Sequence, residues 1–163
     1  MTVAMYYTIT SSPVGTILLL ATDQGLAGLY LETSSKPHKV PENAARSDRY
    51  FTDIVQQLDE YFAGKRQEFD VQLDLEGTSF QKSVWQELYK IPFGTVISYK
   101  ELARRIGKPA ACRAVGTANG RNPISIIIPC HRVIAADGSL GGYGWGLECK
   151  RQLLQLEKVL CQN

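Results

Sequence analysis

Ser125-Ile126-Ile127-Ile128-Pro129-Cys130-His131-Arg132-Val133-Ile134 is the stretch around which the chain is organised. Three isoleucines in a row read as a buried strand. The run ends at a proline, which cannot continue a sheet ladder, and a thiol and an imidazole follow at once. A strand that delivers Cys-His to a proline-broken turn places a thiol at the edge of a core, where pockets form.

Downstream, Ala135 to Gly146 carries glycines 138, 141, 142, 144 and 146 with Tyr143 and Trp145 between them. This is a close-approach loop. Its glycine spacing is not that of a phosphate-cradling motif. A last helix is predicted from about Leu147 to Leu160, with Cys149, Leu153, Leu156 and Leu160 on its inner stripe. Glu157 lies on or beside that stripe. It is either an edge carboxylate or a buried one that needs a partner, and His131 and the basic residues of the thiol segment are the nearest by type.

Upstream, Asn122-Pro123 ties the isoleucine run to a basic region. Thr78-Ser79-Phe80-Gln81 is a capping box opening a helix with Phe80, Val84, Trp85 and Leu88 buried. Ser98-Tyr99-Lys100-Glu101 is a second, opening a short helix closed at Ile106-Gly107. A further helix is predicted from Pro109, its first residue, to Asn119-Gly120. Two short helices joined by a glycine turn match helix-turn-helix spacing. Lys100, Arg104, Arg105, Lys108, Arg113 and Arg121 surround them against one acid, Glu101. Ala110, Ala111, Ala114, Gly116 and Ala118 keep the second helix shallow, with Arg113 the one long side chain at its centre. Such a helix suits a narrow groove, with little sequence reading and one inserted arginine.

The first half is different. Tyr6–Thr10, Thr16–Thr22 and Leu26–Leu31 read as an antiparallel meander, and 34–46 as a polar surface loop. A helix capped by Ser47 or Asp48 runs to about Phe62 on a stripe of Tyr50, Ile54, Leu58 and Phe62. Phe69–Leu75 alternates like a half-buried strand. No chemical constellation stands here. The expected fold class is α/β (α+β): a small amino-terminal antiparallel sheet with a helix (1–77), then a mostly helical, winged-helix-like domain with the helix-turn-helix (78–163).

At 163 residues the chain holds one ordinary domain or two small ones, and 44% apolar residues suffice for a packed core. No apolar run approaches a membrane span, and the start lacks a leader pattern, so the reading is a soluble, unexported, cytoplasmic protein. Cys112, Cys130, Cys149 and Cys161 form no C-x-x-C, and the other histidine, His38, is distant. Neither a metal site nor a disulfide framework is expected. Residues 1–78 carry 6 basic against 11 acidic residues, and residues 79–163 carry 12 against 5. The second half is the one suited to a polyanion.

A free cysteine at a strand end is most often a small buried hydrophobe. Here a helical turn after Pro129 would aim N–H groups at the sulfur, and His131 and Arg132 add charge, so a lowered thiol pKa is expected. Neighbouring side chains diverge, so a water bridge from Cys130 to His131, with Glu157 orienting the ring, fits better than a direct pair.

Pro129-Cys130-His131-Arg132-Val133 resembles the signature of the O6-alkylguanine-DNA alkyltransferases (methylated-DNA–protein-cysteine methyltransferases). Arg113-Ala114-Val115-Gly116, Asn122-Pro123, Ser98-Tyr99, Gly142-Tyr143, Lys150, Leu153-Leu154 and Glu157 stand at that family's distances from the cysteine. The likeness covers residues 78–160 closely and the first half only in layout. It implies direct-reversal DNA repair, with the alkyl group of O6-alkylguanine moved onto Cys130 in one irreversible turnover; whether O4-alkylthymine is also a substrate is left open. It implies that His131 and Glu157 activate the thiol through water, Tyr99 protonates the departing base and Lys150 supports the site. Arg113 replaces the flipped base, and Asn122 is the hinge between helix and thiol. Ala114, Gly116, Ala118 and Arg121 would meet DNA together with Arg113 and Tyr99. Tyr143, Gly144 and Trp145 would line the base pocket. Trp145 stands where many relatives have a small residue, which should admit methyl and exclude benzyl adducts. The implied partner is double-stranded DNA containing alkylated bases, bound by a monomer with cooperativity on DNA left open. No cofactor, metal or membrane is implied. A DNA-binding sensor without transfer, and a cysteine hydrolase recruiting His38, are the rival readings.

Overall fold

The computed structural model describes residues 4–32 and 39–160. The chain divides into two compact units, residues 1–75 and 76–163. His38 and Cys161 lie outside the described residues.

The first unit is a four-stranded sheet of order β3-β2-β1-β4. The meander forms as the alternation predicts: β1 (Met5–Ser12), β2 (Gly15–Thr22) and β3 (Gly25–Leu31) pair antiparallel. Central β2 is buried from Ile17 to Thr22, because neighbours flank both edges and its two faces are covered. Gly25 has φ +150°, and a Cβ there would lie 2.6 Å from the Gln72 carbonyl oxygen, so only glycine fits. Part of the expected surface loop is instead a strand, β4 (Ala44–Arg46), added parallel to β1. Residues 33–38 of that loop lie outside the described residues.

The expected single helix is two pieces. Ser47 caps a 3₁₀ turn (Asp48–Phe51) that runs into α1 (Thr52–Phe62). The buried face is Phe51, Leu58 and Tyr61, while Tyr50 is 42% exposed, its ring stacked on Tyr6 and its hydroxyl donated to the Thr22 carbonyl. Phe69–Leu75 is not a strand. It makes one parallel bridge, Leu73 to Leu26, and the Gln57 amide takes the Asp70 N–H and C=O that a ladder would have used.

The second unit opens with α2 (Ser79–Tyr89), whose capping box forms with both reciprocal bonds. β5 (Ile97–Ser98) pairs parallel with β6 (Val133–Ile134). α3 (Tyr99–Arg105) is capped by Ser98, but the second box is only half formed: the Glu101 carboxylate turns to Arg104 and Arg105 instead. Gly107 (φ +75°) closes α3 with the two bonds of a Schellman motif, Lys108 N–H to Ala103 O and Gly107 N–H to Arg104 O. α4 (Cys112–Gly120) starts three residues later than expected, because Pro109 sits inside a turn closed by Ala111 N–H to Lys108 O. The Trp85 indole donates 2.9 Å to the Ala118 carbonyl and fastens α4 onto α2.

α5 (Leu147–Leu156) is shorter than expected. Lys158 adopts φ +62°, and its N–H and that of Val159 bond back to Gln155 and Leu154, ending the helix in a second Schellman motif. That stop leaves Glu157 at the cap position, turned into the protein. The inner face is Lys150, Leu153 and Leu154 rather than Cys149, Leu156 and Leu160.

Candidate active site and nucleic-acid interface

The isoleucine run is not a strand. It is a knot of tight turns, buried throughout. Ile127 N–H reaches the Ser125 carbonyl at 2.9 Å across Ile126, whose φ of +73° is the left-handed region that branched side chains avoid. Ile128 N–H reaches Ile124 O, and Cys130 N–H reaches Ile128 O at 2.8 Å across Pro129 (φ −81°, ψ 66°), an inverse γ-turn. Asn122 overrides the strand preference. Its Nδ2 donates to Ile128 O at 2.7 Å and its Oδ1 accepts Ile124 N–H at 3.0 Å, so it clips both ends of the turn. Asn122 is also the second residue after α4, so the basic helix and the thiol turn share one polar clip.

Cys130 opens a 3₁₀ turn (Cys130–Arg132) and is 5% exposed. Burial pushes its thiol above the ordinary value. The polar groups of Asn122 and Ser125, the charge of Lys150 and the cysteine's own backbone N–H pull the other way without prevailing. The expected lowering therefore does not hold in the resting protein. His131 is itself pushed down by burial, toward the neutral ring, and the Arg132 charge is taken by Glu157.

His131 and Glu157 meet: Nε2 lies 2.7 Å from Glu157 Oε2, both side chains fully buried. Arg132 grips the same carboxylate with two bonds, Nε at 2.7 Å and Nη2 at 3.0 Å, and donates Nη1 to the Ile91 carbonyl at 2.6 Å. Gly94 N–H adds a longer contact of 3.4 Å. Burial alone would raise the Glu157 carboxyl, but the hydrogen bonds and charge of His131 and Arg132 outweigh it and hold the group below the usual carboxylate range. An ionised Glu157 can only accept, so Nε2 carries the ring proton and Nδ1 the lone pair. Nδ1 is buried and has no hydrogen-bond partner among the described residues.

Lys150 is fully buried, its Nζ donating to the carbonyls of Val133, Leu140 and Gly142 at 2.7, 2.5 and 3.0 Å. Burial lowers it to about 8, against a raising influence from Cys130. The ammonium thus pins the glycine loop to β6 and stands 6.0 Å from the centre of the Tyr99 ring. Tyr99 leads α3, and its hydroxyl is 3.4 Å from the Gly142 carbonyl. Burial first, then Cys130 and Cys112, raise its pKa. A Cβ on Gly141 would come within 3.1 Å of the Tyr99 ring, which accounts for the glycine there. Tyr143 and Trp145 are half-buried and Gly144 is exposed between them. The Trp145 indole donates 2.7 Å to Ser125 Oγ.

On α4, Arg113 and Ala114 are exposed, as is Arg121 just after it, and Gly116 faces Tyr99. Ala118 is only 3% exposed, its carbonyl taking the Trp85 indole N–H, and it lines the base of the groove beside α4. An open groove of about 680 Å³ runs between the start of α2 and α4, with Arg113 and Arg121 on its wall. Ser125 was missed in the sequence. Its only signal there is a lone hydroxyl inside a buried run. Among the described residues no group of three or more His, Cys, Asp or Glu could hold a metal, and no helix is long and apolar enough to cross a membrane.

A basic helix-turn-helix thus shares one asparagine with a buried thiol turn, which is backed by a His–Glu–Arg cluster. The sequence model described as 6-O-methylguanine DNA methyltransferase, DNA binding domain, matches residues 79–159, and its ribonuclease-like domain companion matches residues 5–75. The chain belongs to the 6-O-methylguanine DNA methyltransferase family. A methylated-DNA–protein-cysteine methyltransferase of Methanosarcina barkeri is 51% identical over 154 residues, 94% of this chain and 98% of that protein. The Mycobacterium tuberculosis protein of the same name is 49% identical over 158 residues, 94% and 93% of the two chains. The crystal structure of Mycobacterium tuberculosis OGT in complex with DNA superposes with a TM-score of 0.87 at 47% identity, covering 94% of this chain and 92% of that one.

Proposed function

We propose that this protein repairs duplex DNA by direct reversal, moving the alkyl group of O6-alkylguanine onto Cys130 once and irreversibly. Family membership supplies the class of reaction. The observation that supports this residue as acceptor is the buried turn that holds Cys130 among Asn122, Ser125 and Lys150, directly behind the basic helix.

The chemistry follows from the charges. Glu157, kept ionised by Arg132, accepts from His131 Nε2, which leaves Nδ1 as the base. A water between Nδ1 and the sulfur carries the thiol proton to the ring. The thiolate attacks the alkyl carbon, an S–C bond forms, and the C–O6 bond breaks with its electron pair left on the guanine. The Tyr99 hydroxyl donates a proton to that base and later recovers one from His131 through solvent, so thiol plus alkylguanine becomes thioether plus guanine. Water does not cleave a thioether, so each molecule acts once. Because burial keeps the resting thiol protonated, reactivity waits for a base in the pocket.

The target carbon lies inside the stack, so the nucleotide must be extruded. Shallow α4, open at Ala114 and Gly116, enters the minor groove. Arg113 fills the gap, Arg121 meets phosphate, and Tyr143, Gly144 and Trp145 receive the base. Asn122 couples these events to the thiol. The carboxy-terminal domain (78–163) carries all of this chemistry, and the protein acts as a cytoplasmic monomer. O4-alkylthymine presents the same kind of electrophilic carbon.

The test is to incubate the protein with duplex bearing O6-methylguanine and map the modified peptide by mass spectrometry. One methyl per molecule on the Cys130 peptide is expected, with none in Cys130→Ala. Lesion clearance by Cys130→Ala, or many turnovers per molecule, would overturn the reading.

A further inference from the structure

Trp85 sits on the buried face of α2 with Val84 and Leu88 and is 2% exposed. A buried indole N–H needs an acceptor. It finds one 33 residues away, the Ala118 carbonyl, at 2.9 Å. That carbonyl lies in the last turn of α4, where carbonyls lack a regular intrahelical partner. Asn122 N–H, which would close one more α-turn onto Ala118, goes to the Asn119 carbonyl at 3.3 Å instead. Ala118 O therefore takes the Arg121 N–H at 3.1 Å and the indole of α2. The indole is also held from behind. A Cβ on Gly77 would come within 2.7 Å of its ring, so the Gly77 backbone packs directly against it.

The two ends of α4 are held differently. The carboxy-terminal end carries the Trp85 bond, and Asn122, one turn past Ala118, clips the thiol turn. The amino-terminal end has no side-chain cap, and Cys112, Arg113 and Ala114 are exposed there. The groove beside α4 is lined by Phe80 and Gln81 from α2 and by Arg113, Ala114, Thr117 and Arg121 from α4 and its end. Trp85 follows Gln81 by one turn, so its bond spans the two helices that form the groove.

We propose that Trp85 is a positioning residue for DNA engagement: its bond to Ala118 fixes the spacing and tilt of α4 against α2, and with them the depth at which Arg113 enters the duplex. The inference rests on α4 entering DNA with Arg113 as its wedge and deepens that reading. Trp85 sets the helix, and Asn122 sets the thiol turn. Losing the first bond leaves the second in place, so DNA engagement and thiol reactivity come apart.

The test uses full-length wild type, Trp85→Phe, and protein carrying 3-benzothienylalanine at position 85, in which sulfur replaces the indole N–H at nearly the same shape. Thermal unfolding checks that each is folded, and the isostere decides alone should Trp85→Phe lose its fold. Four quantities are measured: affinity for undamaged duplex by fluorescence anisotropy, single-turnover methyl transfer from subsaturating duplex, the same transfer from a single strand, and iodoacetamide alkylation followed on the Cys130 peptide. The net worth of one buried hydrogen bond predicts a loss of about threefold to tenfold in duplex affinity and duplex transfer. Single-strand transfer and the iodoacetamide rate should stay within about twofold of wild type, because the Asn122 clip is untouched. Unchanged duplex affinity and transfer in the folded isostere, or equal losses in all four measurements, overturns the proposal. If wild type transfers no methyl, the reading of Cys130 as acceptor fails, and duplex affinity set against the iodoacetamide rate still decides the role of Trp85.

Discussion

Glu157 Oε2 lies 2.7 Å from His131 Nε2 with both side chains fully buried, and Arg132 closes on the same carboxylate from its other side. One negative charge thus sets the histidine tautomer and neutralises a buried guanidinium. The two tasks separate by experiment.

Glu157→Gln keeps the shape and removes the charge. Breaking a buried pair and leaving one charge uncompensated costs about 3–5 kcal/mol, so the urea midpoint should fall sharply at neutral pH. The sign with pH follows from the depressed carboxyl. Its contribution is full above the ordinary value of 4.5 and is lost as pH falls through the lower folded value. The gap in stability between wild type and Glu157→Gln should therefore be flat from pH 7 to about 5 and narrow below that. Denaturant melts across that range measure it.

Lys150→Met removes the ammonium that gathers the Val133, Leu140 and Gly142 carbonyls. Transfer should slow by about tenfold or more, since the pocket loop loses its anchor and the thiolate a nearby charge. Lys150 is depressed to about 8 from 10.5, so between those values the unfolded chain binds the extra proton and stability gains with pH. Wild type should gain up to about 1.4 kcal/mol per pH unit relative to Lys150→Met in that window. An equal slope in both proteins would contradict the buried, charged assignment.

Trp145, the proposed wall of the base pocket, is fastened by its indole N–H to Ser125. Wild type should accept methyl readily and O6-benzylguanine poorly. Trp145→Gly should raise the benzyl rate by about tenfold or more, as a few kcal/mol of overlap disappears. Competition of the two substrates for one protein sample reads the ratio directly. Equal handling of both by the wild type would remove the assignment.

Arg113 is exposed on α4, in contact with no carboxylate among the described residues. Arg113→Ala should leave the melting temperature within error, because surface changes of this kind are worth about 0.5 kcal/mol or less. Its effect should appear only where a base must be extruded. Transfer from duplex is expected to fall by at least about tenfold, while transfer from a single-stranded oligonucleotide carrying the same lesion stays close to wild type. Equal losses on both substrates would argue against a wedge.

Much of this was legible in the chain. The meander, the Thr78 box, the glycine stop after α3 and the helix-turn-helix all follow from local spacing, because caps, turns and alternation act over a few residues. The Pro129-Cys130-His131-Arg132 signature and its companions led to the family that the comparisons show. Other features were misread. Ile126-Ile127-Ile128 has strand propensity but folds as turns, since Asn122 occupies backbone groups that a ladder would need. Phe69–Leu75 failed as a strand for the same reason, with Gln57 the competitor. A helix predicted to Leu160 stops four residues earlier on Lys158, whose left-handed backbone no spacing rule anticipates.

By itself, then, the order of residues determined which elements form and which chemical groups are carried. Only the tertiary structure decided the state of those groups. His131 and Arg132 look like two positive charges beside a thiol, yet one is driven neutral by burial and the other is absorbed by Glu157 from 25 residues away. Ser125 meets Trp145 across 20 residues. Propensity is a property of neighbours along the chain. Desolvation and hydrogen-bond polarity belong to everything packed around an atom, and that company is known only after the chain has folded.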